Sequence, residues 1–94
     1  MPFAVGMPPD DAKEFLRAFG DAVRAHRKER GLSQEAFADE IPLYRSYVAD
    51  VERGARNLGL ANALRIARAL SVPLAQLVAE AEASQEPNSE PART

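Results

Sequence analysis

The sequence predicts an all-α domain of five helices packed around one core. Three observations predict it. Apolar residues recur at three- and four-residue spacing in five stretches, as on a helix with one buried face, and no stretch reads convincingly as a strand. Gly31, Pro42, Gly54 and Pro73 stand between these stretches, where chain breakers belong. Finally, 94 residues with 46% hydrophobic content suit one small domain with an ordinary core.

Residues 1–10 read as irregular. Asp11 with Glu14 three residues on reads as a capping box, and a helix is expected from there to about Arg30. Its apolar face is Phe15, Leu16, Phe19 and Val23, followed by His26 where the pattern expects an aliphatic residue. His26 is therefore given a partly buried, structural role rather than a catalytic one. Arg24, Arg27, Lys28 and Arg30 crowd the last two turns, where a solvated basic face complements the helix dipole. Gly31 supplies the left-handed end that a side chain would resist.

Ser33 opens the second helix as an N-cap, its hydroxyl accepting an unpaired amide of the first turn, and Glu35 favours the positive end. Phe37, Ala38 and Ile41 form its apolar stripe. Pro42 stops it, because proline lacks an N–H and pushes Ile41 from helical dihedrals. The third helix, Arg45 to Arg53, buries only Val48 and Val51 and begins with the hydrogen-bonding run Arg45, Ser46, Tyr47. Two helices joined by so short a turn meet at a steep angle, with the second N-terminus projecting. That geometry suits a helix in the major groove of DNA.

After Gly54 comes a loop, A-R-N-L-G, then a helix from about Leu60 to Leu70. Leu60, Ala63, Leu64 and Ala67, with Ile66 and Leu70, are expected on its buried stripe, and Arg65 and Arg68 outside. Pro73 suits the first turn of a last helix running to about Glu82. Leu74, Leu77, Val78 and Ala81 form its apolar stripe. Core packing is the plain reading of that stripe. It continues past the point where the domain closes, however, so these four residues are assigned to a dimer interface. The domain is thus expected over 11–83. The final S-Q-E-P-N-S-E-P-A-R-T is polar and proline-bearing, and 84–94 is expected to be a disordered tail.

Composition excludes several classes. Cysteine is absent and there is one histidine, so neither disulfides nor a zinc site is expected. No apolar run approaches the roughly 20 residues of a membrane span, and the first residues lack the basic start of a signal peptide. A cytoplasmic protein with no membrane role is expected. The net charge of −2 divides unevenly. From Arg17 to Arg68 there are 10 Lys or Arg against 7 Asp or Glu, while the flanks hold 2 against 7. Exposed charges are screened beyond about 10 Å at 0.1 M salt, so the local excess governs a phosphate contact. Weak non-specific DNA affinity follows.

The stretch from Ser33 to Gly54 resembles the Xre or phage-repressor type of helix-turn-helix regulator. That pattern runs S-Q-x-x-L-A, a short turn, then R-[ST]-Y-[IV]-[SA]-x-[IV]-E-R-G. Here it is matched by Ser33, Gln34, Phe37, Ala38, Arg45, Ser46, Tyr47, Val48, Ala49, Val51, Glu52, Arg53 and Gly54. The resemblance continues through Arg56-Asn57-Leu58 and L-R-I-A-R-A-L, and covers roughly Phe19 to Val78. The R-S-Y and R-N combination is most similar to controller proteins of restriction–modification systems. Two residues depart from the pattern: Pro42 stands where glycine is usual, and Tyr44 where Ser, Thr or Asp is usual.

The resemblance implies a five-helix lambda-repressor-like fold and gives the residues roles. Arg45 is expected to read a base, since a guanidinium can bond guanine O6 and N7 together. Ser46 is expected beside it on a base, with a phosphate or a solvated face as the alternative, and Tyr47 on a base or phosphate, with packing on the scaffold an equal alternative. Asp50 is also placed towards DNA, where it can accept from cytosine N4, although an i, i+3 pair with Arg53 is the plainer role. Ser33, Gln34, Arg53, Arg56 and Asn57 are expected on phosphates, which position without specifying. An arginine matching Arg27 pairs with the glutamate matching Glu52. The expected partners are double-stranded DNA, a second copy of the chain on a palindromic operator, and RNA polymerase. No enzymatic activity, cofactor, metal or small-molecule ligand is expected. The alternative of a different class is a protein-interaction module, antitoxin-like, on the same fold.

Overall fold

The computed structural model describes residues 9–85. Its regular structure is entirely helical: α1 (Pro9–Glu29), α2 (Gln34–Glu40), α3 (Arg45–Arg53), α4 (Leu60–Leu70) and α5 (Leu74–Gln85). The disorder expected after Gln85 and the irregularity expected before Pro9 lie outside the described residues. Both boundaries move outward. α1 is already helical at Pro9, two residues ahead of Asp11, so Asp11 is not its N-cap; Pro9 suits a first turn, with its φ preset and no N–H to lose. α5 continues through Ser84 to Gln85, because no helix breaker intervenes until Pro87.

α1 is the hub, packed along α5, across α3 and against α4, while α2 packs on α3. Phe19 and Val23 of α1, Phe37 of α2, Val48 and Val51 of α3, Ile66 and Leu70 of α4, and Leu77 of α5 meet in one core. Phe37, Val23 and Leu77 are fully buried at its centre. Gly20 lies where α1 crosses α3. A Cβ built on it would stand 2.7 Å from the Glu52 carbonyl oxygen, so only glycine permits this approach.

The first four helices end in one hydrogen-bond pattern, in which a left-handed residue turns the chain and the next amide bonds back to the last helical turn. Leu32 N donates to the Arg27 carbonyl (3.2 Å), Ala55 N to Asp50 (2.9 Å) and Val72 N to Ala67 (3.1 Å). The left-handed residues are Gly31 (φ 73°), Gly54 (φ 73°) and Ser71 (φ 63°). At the end of α2 Leu43 N reaches the Ala38 carbonyl at 3.1 Å, and Pro42 holds the turning position with φ 27°. Proline cannot make the second amide bond of the pattern, and its ring prefers φ near about −65°.

Two expectations about apolar faces change. Leu60 is 78% exposed and Leu64 39% exposed, because the inward stripe of α4 is Ala63, Ile66, Ala67 and Leu70 and the two leucines flank it. The stripe assigned to a dimer interface divides, two of its residues being absorbed by the fold and two keeping part of their surface exposed. Leu77 and Ala81 have no exposed surface, and Leu74 and Val78 are half-buried against the same core. The reason is that α5 lies along α1, which α5 needs as cover for its apolar side. His26 joins the two helices, its Nε2 3.0 Å from Glu80 Oε1. Arg30, expected on a solvated face, bonds the Ala69 carbonyl and sits 3.3 Å from Glu40.

Candidate nucleic-acid interface

The site rests on a buried ion pair. Arg27 Nε donates to Glu52 Oε2 at 2.6 Å and its Nη2 to Oε1 at 2.9 Å, a two-bond fork matched to a carboxylate. Both residues are only 6% exposed. The remaining guanidinium nitrogen, Nη1, donates to the Leu32 carbonyl at 2.6 Å. Gln34 Nε2 donates to Glu52 Oε1 at 3.0 Å, so the amide expected on a phosphate is engaged inside the protein. The hydrogen bonds from Arg27 to Glu52, aided by the carboxylate charge, raise the Arg27 pKa against the opposing effect of burial. One network therefore ties the end of α1, the start of α2 and the last turn of α3. Ser33 caps α2, its Oγ accepting from Ala36 N at 3.0 Å.

Held at its last turn, α3 is open at its first. Arg45 and Ser46 are exposed, and neither side chain has a hydrogen-bond or ionic partner among the described residues. The other two expected base contacts are occupied. The Tyr47 hydroxyl accepts from Asn62 Nδ2 at 2.9 Å, and the Arg56 guanidinium lies 4.5 Å from the centre of its ring. Asp50 Oδ1 accepts from Arg53 Nη2 at 2.6 Å, while its Oδ2 stands 3.5 Å from Arg56 Nη2. Arg53, Arg56 and Asn57 are exposed along the loop side of the helix.

Asn62 is a component that the sequence reading did not pick out. It donates to Tyr47 and accepts from Arg65 Nη1 at 2.6 Å, linking α3 to α4. Its one signal was a lone amide in the apolar opening of α4, L-A-N-A-L. Above the buried pair lies a cleft of about 810 Å³ whose rim includes Arg24, Arg45, Arg53, Ser33 and Gln34. Three guanidinium groups there outnumber the one exposed carboxylate of the lining, Glu35, and suit a polyanion lying across it. Among the described residues no cluster of His, Cys, Asp or Glu could hold a metal ion. No helix there is long and apolar enough to cross a membrane.

Comparison with known proteins agrees with this architecture. A helix-turn-helix family model, HTH_3, matches residues 23–77, from the middle of α1 into α5. Control protein C.MunI of a Mycoplasma species is 40% identical over 65 residues, covering 68% of this chain and 88% of that protein. Control protein C.BamHI of Bacillus amyloliquefaciens is 46% identical over 55 residues, or 57% of this chain and 68% of its own length. The crystal structure of the restriction–modification controller protein C.AhdI from Aeromonas hydrophila superimposes with a TM-score of 0.64 at 47% identity, covering 66% of this chain and 94% of that one. The chain belongs to the Xre-type helix-turn-helix family of DNA-binding, non-enzymatic transcriptional regulators, with control proteins of restriction–modification systems among its relatives.

Proposed function

We propose that the chain acts in the cytoplasm as a homodimeric controller that binds a two-fold symmetric operator. The first turn of α3 reads bases. The observation that carries this reading is the asymmetry of α3, fixed by the Arg27–Glu52 pair at one end and presenting unpartnered Arg45 and Ser46 at the other. A base reader needs that combination, because an immobile side-chain origin keeps the entropy loss on binding small. Ser33, Gln34, Arg53, Arg56 and Asn57 surround α3 as phosphate contacts. For Gln34, Arg53 and Arg56, binding requires an exchange or sharing of partners: Gln34 with Glu52, and Arg53 and Arg56 with Asp50. Ser33 keeps its O–H free to donate while its oxygen caps α2.

With Leu77 and Ala81 inside the core, the dimer contact falls to Leu60 and Leu64, one turn apart on α4 and both exposed. Two such protomers would set their α3 helices into successive major grooves, about 34 Å apart. Contact with RNA polymerase from the bound dimer would complete a controller. The test is selection from random duplex by gel shift. Enriched sequences should carry two half-sites related by two-fold symmetry, and binding should weaken steeply with salt. Selection that enriches nothing at low salt would sink the DNA-reading role, and enrichment of single half-sites would sink the dimer.

A further inference from the structure

We propose that Tyr44 is a contact to the DNA backbone, its phenolic O–H donating to a phosphate oxygen at the edge of the groove that α3 enters. The inference rests on the DNA reading above and adds a residue to it.

Tyr44 occupies the N-cap position of α3, with φ −73° and ψ 145°, yet its side chain makes no capping bond. Ser, Thr, Asp or Asn there would satisfy an open amide of the first turn and stabilise the helix. The same chain uses that device at α2, where Ser33 caps at 3.0 Å. Tyr44 therefore forgoes a local stabilisation. It gains no packing in exchange, being 83% exposed while its neighbour Leu43 is packed against the core. A large aromatic side chain that neither caps nor packs stands directly before Arg45.

Its backbone is fixed. The Tyr44 carbonyl accepts from Tyr47 N at 2.9 Å and from Val48 N at 3.1 Å, so the ring swings on its own two torsions from an anchored point. Such side chains supply contact at small entropic loss. Tyr47, within α3, is not equivalent, because Asn62 donating to its oxygen and Arg56 over its ring hold it in place, although its O–H stays free to donate. Of the two, Tyr44 has the unengaged hydroxyl. Tyrosine is also neutral, whereas an aspartate cap at this place would set a carboxylate beside phosphates. Tyrosine hydroxyls are regular phosphate donors, and such contacts fix register without naming a base.

The test uses the full chain on its selected operator, followed by fluorescence anisotropy across salt, with Tyr44→Ser, Tyr44→Phe and Arg45→Ala beside the wild type. Tyr44→Ser should melt higher than wild type, because the cap is restored, yet bind about tenfold more weakly, equivalent to about 1.4 kcal/mol. Tyr44→Phe should melt like wild type and lose most of the same tenfold. Neither should change the preferred bases on point-substituted operators, and neither should alter the salt slope, since no charge is removed. Full-strength binding by Tyr44→Ser would overturn the inference. Full-strength binding by Tyr44→Phe would overturn the hydroxyl's role, and a relaxed base preference would make Tyr44 a reader instead. If Arg45→Ala weakens binding while both Tyr44 variants do not, this inference alone fails. If the wild type prefers no duplex, the DNA reading falls and this inference with it.

Discussion

Glu52→Ala should destabilise the fold by about 3 kcal/mol, the lower end of the range for leaving one partner of a buried ion pair alone. The structure shows what is lost. Glu52 accepts three hydrogen bonds, from Arg27 Nε (2.6 Å), Arg27 Nη2 (2.9 Å) and Gln34 Nε2 (3.0 Å). After truncation the Arg27 guanidinium keeps only the Leu32 carbonyl, at 6% exposure. The lower end applies because the cleft above the pair admits water to the stranded charge. Raising the pH offers no practical relief. The Arg27 pKa lies above its ordinary value, so this contribution is complete below that value and disappears only as pH rises through the still higher folded pKa. For a domain of this size the loss corresponds to a fall in Tm of about 12–24 °C by far-UV circular dichroism. Arg27→Met combined with Glu52→Leu should recover most of it, since two apolar groups leave no buried charge. A Glu52→Ala Tm within about 2 °C of wild type would mean that the pair contributes nothing. A double variant as unstable as Glu52→Ala would shift the cause from charge to shape.

Arg45→Ala should lose about 1–3 kcal/mol on the selected operator and relax preference at one symmetric pair of positions, whereas Arg56→Ala should weaken all sequences and lower the salt slope by about one per site. Titration of both variants on point-substituted operators would show the reverse pattern if the loop after Gly54 is the reader. Pro42→Gly should raise Tm by about 4–8 °C, as relief of a positive φ outweighs the added freedom of the unfolded chain by about 1 kcal/mol and a second turn bond becomes available. A lower Tm on melting would show that the turn does not need a left-handed residue. The Glu80 pKa is lowered, first by the hydrogen bond from Gln76 and then by His26, with burial opposing. Its contribution is therefore present above the ordinary glutamate value and lost as pH falls through the lowered one. Glu80→Gln should melt below wild type above the ordinary glutamate value, and the difference should shrink as pH falls through the lowered one; parallel melting curves across that range would argue against the link.

How much of this was legible in the sequence depended on where the deciding partner lies. The α2–α3 unit was readable because its boundaries are local: Ser33 caps, Pro42 breaks, and Gly54 turns. The Arg27–Glu52 pair came through resemblance, since residues 25 apart share no periodic signal. The outward turn of Leu60 and Leu64 was not readable, because L-A-N-A-L-R-I-A-R-A-L holds two adjacent apolar stripes and periodicity does not choose between them. α5 posed the same problem in another form. A stripe of leucine, valine and alanine fits the core of one chain or the surface of two, and packing along α1 decided it for Leu77 and Ala81. The Asp50–Arg53 pair was readable as an i, i+3 contact, whereas the approach of Asn62 to Tyr47 and of Arg56 to Asp50 was hidden for a third reason: both come from beyond the helix.

Gly20 bears on how finely α3 is aimed. Where most helix pairs are spaced by interlocking side chains, here the main chains of α1 and α3 come close enough that even an alanine would meet a carbonyl oxygen. The tilt of α3 is thus set by main-chain thickness for as long as residue 20 is glycine, rather than by side-chain volume, which drifts freely. The surrounding core can then change in volume while the aim of α3 stays put. In the proposed dimer this tolerance counts twice, because any angular error at one crossing is repeated by symmetry at the other half-site.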